Sequence, residues 1–83
     1  MDNEVVIAFY DKFKQMAEEK TVEQIAEQFK TSSDWAIVRM SDYSIVLSLK
    51  DFSVNGIKTT FRVQITKGLT NHVLVKWYEG GQE

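Results

Sequence analysis

Residues 43–66 read YSIVLSLKDFSVNGIKTTFRVQIT, and the strand register they imply decides the fold. At the centre stands Val54-Asn55-Gly56-Ile57. Asn-Gly tolerates the positive φ values of a two-residue type I′ turn, whose twist matches that of the strands it joins. Such a turn sets Val54 against Ile57 and Phe52 against Thr59. An uninterrupted count outward then places Ser48 opposite Val63 and swings Lys50 onto the apolar face. The first strand avoids this by changing parity, from Tyr43, Ile45, Leu47 and Leu49 to Phe52 and Val54. One extra residue at Lys50-Asp51, a β-bulge, restores agreement. Leu49 then meets Phe61, Leu47 meets Val63 and Ile45 meets Ile65. Because side chains alternate with a period of two, a slip of one residue would turn that whole apolar set toward water.

Two further runs of β-branched and aromatic residues flank this hairpin, at Trp35–Met40 and His72–Tyr78. With strands at 43–54 and 57–66 they make four. A tight turn at Ser41-Asp42 sets Met40 against Tyr43 and Val38 against Ile45. The product is a four-stranded antiparallel meander with one apolar face.

The chain before residue 31 has a different period. Val5, Val6, Phe9, Phe13, Met16 and Ala17 recur at three-to-four spacing, the stripe of an amphipathic helix. Asp2 and Asn3 are N-cap types, and Glu4 complements the dipole. A second stripe, Val22, Ile25, Ala26 and Phe29, points nearly opposite the first if one straight helix runs through both. Thr21 followed by Gln24 has the spacing of a capping box, which starts a new helix there. Two helices are expected, over 3–19 and 22–30. Helices first and strands after give an α+β two-layer sandwich, ααββββ, with both helices on one sheet face. Residues 1–79 form a single domain in this scheme and 80–83 a flexible tail.

Eighty-three residues allow one domain and a small core. At 43 % hydrophobic and 27 % charged, the composition is globular and not that of a disordered chain. The absence of cysteine removes disulfides and thiolate metal sites, and a single histidine, His72, removes the remaining zinc patterns. His72 would have to serve as the base of any Ser–His–acid arrangement, and no motif surrounds a serine. The four glycines form no phosphate-binding loop, and no carboxylate pair stands in an acid–base motif. No catalytic residue, metal or cofactor is therefore expected. The run Val5–Tyr10 is too short for a secretory leader, and no stretch approaches the ~20 apolar residues of a membrane span. A cytoplasmic protein without membrane contact is the expectation.

Function then rests on surfaces. Strict alternation puts Trp35, Ile37, Arg39, Val46, Lys58 and Arg62 on the sheet face away from the helices. Such an apolar and basic mixture suits a partner surface better than plain solvent. Two-fold self-association is its commonest form. The net charge of −2 divides unevenly: residues 1–42 carry nine acids against five bases, residues 43–83 three against five. Glu18, Glu19, Glu23 and Glu27 gather near the helix junction and offer a second, acidic surface. The expected activity is that of a non-enzymatic interaction domain. It would be a small regulator or inhibitor that binds another protein, or itself as a homodimer, through one of these faces. Nucleic acid is disfavoured by the acidic pI of about 5.4.

The segment TVEQIAEQF at 21–29, followed by Thr31-Ser32-Ser33, resembles the opening of a bacterial helix-turn-helix, with Ala26 as the small central residue. That resemblance implies a recognition helix over 33–41, later strands as a wing, and DNA binding by residues 21–41. Lys30 stands where the family has glycine, and Arg39 where it has a buried apolar residue. DNA regulation through this segment is the alternative function.

Overall fold

In the computed structural model, which describes residues 3–79, the apolar stripes form two separate helices: α1 over Asn3–Glu19 and α2 over Val22–Lys30. The caps expected of Asp2 and the tail at 80–83 lie outside the described residues. The break between helices has a local chemical cause. Thr21 is extended, its hydroxyl accepts the Gln24 N–H at 3.2 Å, and the Gln24 side chain accepts the Thr21 N–H at 2.9 Å. Both halves of the capping box are thus made, satisfying two donors that a helix start leaves open. At the end of α1 the Lys67 ammonium donates to the carbonyls of Ala17 and Lys20 at 2.5 and 2.7 Å, a cation where the helix dipole is negative. Thr21→Ala is expected to lower stability by about 1 kcal/mol. A urea midpoint that falls at constant m-value would show it; an unchanged midpoint would mean that the box contributes nothing.

The strands are β1 (Trp35–Met40), β2 (Ser44–Leu49), β3 (Ser53–Val54), β4 (Ile57–Thr66) and β5 (His72–Glu79). They form one antiparallel layer, β1-β2-β4-β5, in which β3 continues the line of β2 beside the far end of β4. The expected register holds throughout the central hairpin: Val54 opposite Ile57, Leu49 opposite Phe61, Leu47 opposite Val63, Ile45 opposite Ile65. Asn55 and Gly56 both have positive φ, 52° and 79°, as the type I′ turn requires. Between the Leu49–Phe61 and Ser53–Lys58 pairs, residues 50–52 lie against 59–60, so the bulge is present. Its extra residue is marked by Asp51 at φ 51°, and the Thr59 N–H closes it on the Phe52 carbonyl at 2.9 Å.

The β1–β2 hairpin differs from expectation. The Ser41 N–H bonds the Ser44 carbonyl at 2.7 Å, so Asp42 and Tyr43 form the turn, one residue later than Ser41-Asp42. Met40 accordingly meets Ile45, and Arg39 meets Val46. A second bulge at Val38 then brings Ile37 opposite Leu47 and Trp35 opposite Leu49. The later turn moves each pairing by two residues and keeps parity, so the bulge alone reverses the parity of the first half of β1. Trp35 and Ile37, expected on the outer face, therefore point toward the helices. Trp35 is 7 % exposed, and its ring lies 5.2 Å from Phe13, 5.9 Å from Phe9, 6.1 Å from Phe29 and 6.2 Å from Phe61.

The core lies between the layers, with α1 over β4 and β5 and α2 over β1 and β2. Phe13, Ile25, Ile45, Leu47, Phe61, Val63 and Ile65 are fully buried there. Residues 35–40 are strand, so no recognition helix stands at 33–41 and the helix-turn-helix expectation fails on that element. Among the described residues no helix is long and apolar enough to cross a membrane.

Candidate interaction surface

The helices cover one face of the sheet; the pairings define the other, row by row. Arg39, Val46, Gln64 and Leu74 stand side by side across the four strands. The next outward row is Ala36, Ser48, Arg62 and Lys76. Thr60 and Tyr78 follow, and Ser44, Thr66 and His72 close the opposite end. Neighbouring strands are about 4.8 Å apart, and successive rows of one face about 7 Å. Arg39, Val46, Arg62, Gln64, Leu74 and Lys76 line a shared depression of about 80 Å³ at the middle of the face.

Arg39, Val46 and Arg62 are thus brought together as expected. Lys58 shares the face but lies two rows beyond Arg62, about 14 Å along β4. Val46 is only 6 % exposed although no helix covers it. Arg39 and Gln64, its neighbours in the row, flank it with long side chains whose stems shield apolar surface. Leu74, by contrast, is 48 % exposed. Leu74 and Lys76 were not assignable to this face from alternation alone. Strand β5 mixes apolar and polar groups at both parities, and only the pairing of Val73 with Ile65 orients it.

The rows through Val46 and Ser48 hold no aspartate or glutamate among the described residues, and Arg39, Lys58, Arg62 and Lys76 all belong to this face. Arg62 and Lys76 are direct cross-strand partners. Like charges in that position repel. The Tyr78 hydroxyl, one row further, is buried without a hydrogen-bond partner.

The acidic residues are arranged differently. Glu18, Glu19, Glu23 and Glu27 are all exposed. Glu23 and Glu27 rim a groove between α2 and β1 with Ala26, Ile37 and Met40 at its base, whereas Glu18 and Glu19 lie outside it on α1. Glu27 is already paired with Lys30 at 3.9 Å, and Glu19 accepts from Gln15 at 3.0 Å. Local partners of this kind are what a solvated helix face provides. No group of three or more His, Cys, Asp or Glu side chains is placed to hold a metal ion among the described residues.

No family model, curated protein or solved structure matches the chain. The surface itself is what bears on function. Its chemistry is cationic, broad and open, with two apolar side chains set among the bases and His72 at one corner. Such an arrangement can hold carboxylates or phosphates by charge-assisted hydrogen bonds.

Proposed function

We propose that this protein is a non-enzymatic interaction domain, a small regulator or inhibitor that docks its open sheet face on an acidic region of a protein partner. One observation carries the proposal: Arg39, Arg62 and Lys76 line one depression with Val46, Gln64 and Leu74 at the middle of the open sheet face. Cationic groups gathered around apolar side chains suit the carboxylates of a partner, which they can hold by charge-assisted hydrogen bonds. Leu74 and the shielded Val46 favour a protein over nucleic acid, because they add apolar contact between the charges. The net charge of −2 points the same way.

The test uses a fluorescein-labelled peptide of alternating glutamate and leucine. Binding that weakens with salt, maps to the outer rows by amide chemical shifts, and falls at least tenfold in Arg39→Glu/Lys76→Glu is the expected result. Both residues are exposed, so circular dichroism of the double variant should match the parent. Tighter binding to a twenty-nucleotide single strand or duplex than to the peptide would make the partner a nucleic acid. Absence of any response to the peptide at millimolar concentration would overturn the proposal.

A further inference from the structure

The sheet has two edges, and they are built differently. At β1 the bulge at Val38 breaks the ladder after three pairs, a device that blunts an edge against further pairing. Strand β5 has no such protection. Its eight residues pair with β4 in one unbroken register, from Thr66–His72 to Thr59–Glu79, and among the described residues no strand pairs with its other side. An edge of that length and regularity is a template for another strand.

The flank of α1 beside this edge is apolar as well. Lys14 donates to the Asn71 carbonyl at 2.8 Å, which fixes the side of α1 turned toward the start of β5. Ile7 and Tyr10 are on that same side by helical spacing, and they are 58 % and 40 % exposed. Trp77, on the helix side of β5, is 41 % exposed.

We infer that a second copy of this chain occupies the edge, β5 against β5 antiparallel about a two-fold axis at Val75, to give a continuous eight-stranded sheet. The register is self-complementary. Val73 meets the second copy's Trp77 on the helix side, while Leu74 meets Lys76 and His72 meets Tyr78 on the outer side; no Lys76 faces another. Asn71 stands opposite the second copy's Glu79, so Lys14, already held at Asn71, gains a carboxylate across the seam. The helix layer fits too. Because α1 straddles β4 and β5, strand spacing puts the two α1 helices roughly 10 Å apart, within the usual packing distance. Ile7 and Tyr10 become buried between them. The inference stands apart from what the outer face binds, although the dimer would double that face.

Light scattering of the whole chain after sizing, from 10 to 500 μM, reads the outcome directly. A dimer is expected, with Ile7→Asp shifting its dissociation constant upward by at least tenfold while circular dichroism stays unchanged. Lys14→Glu should weaken it severalfold, and Lys14→Glu/Glu79→Lys should recover most of that loss. A monomer at 500 μM overturns the inference. So does a dimer that survives Ile7→Asp but is lost in Met40→Asp, which would place the contact at the β1 edge.

Discussion

Trp35→Ala is expected to leave the domain largely unfolded, or folded only at the margin, at 25 °C. The indole is 7 % exposed and touches four phenylalanine rings drawn from both helices and from β4. Its removal opens a cavity where the two layers meet, and truncation of a buried tryptophan costs about 3–5 kcal/mol. A chain of 83 residues has total stability of about 4–12 kcal/mol. One side chain therefore accounts for a large share of it. Urea unfolding followed by ellipticity at 222 nm measures the loss, and Trp77 remains as a fluorescent reporter in the variant. Trp35→Phe, which keeps one ring in the cluster, should cost less than half as much. A Trp35→Ala variant within 0.5 kcal/mol of the parent would return this residue to the outer face and leave the parity of β1 as strict alternation has it.

That parity is where sequence alone was least informative, for a physical reason. In Trp35-Ala36-Ile37-Val38 both alternating sets are apolar, so neither is marked for water. The turn that follows, with Asp42 and Tyr43 at its tip, lacks an Asn-Gly pair to fix its position. Tertiary packing makes the choice: Trp35 fills the space between four phenylalanine rings, and the Val38 bulge lets Met40 and Arg39 keep the partners that the turn assigns. The helices and the β2–β4 hairpin were legible because each has a chemical marker, Thr21 with Gln24 at the helix break and Asn55-Gly56 at the turn. The same contrast governs the surface. Arg39, Val46 and Arg62 could be grouped from alternation and register, since a marked turn anchors β4 and the later turn moves Arg39 by one row, to Val46, without changing its face. Trp35 and Ile37 could not, and the place of Lys76 opposite Arg62 needed the β4–β5 register.

Deletion of Asp51 is expected to cost about 2–4 kcal/mol, and the reason lies in parity. Residue 51 is the extra member that lets Leu49 and Phe52 both face the helices. Without it the strand must sacrifice one side of the bulge. Turning Ile45, Leu47 and Leu49 outward would expose two fully buried side chains and one partly buried, each worth about 1.5–3 kcal/mol when fully buried. Turning Phe52 and Val54 outward exposes two half-buried ones, so the chain should give way at the hairpin tip. Loss of the Phe52–Phe61 ring contact at 5.5 Å accompanies that change. Amide exchange distinguishes the two routes: protection should vanish near residues 52–59 and persist over 45–49 and 61–65. Asp51→Gly is the matching control, because it keeps the residue count and relieves a φ of 51° that disfavours a side chain. It should be neutral or stabilising by a fraction of a kcal/mol. If the deletion variant proved as stable as the parent with its exchange pattern intact, the bulge would not be what holds the two halves of this strand on one face.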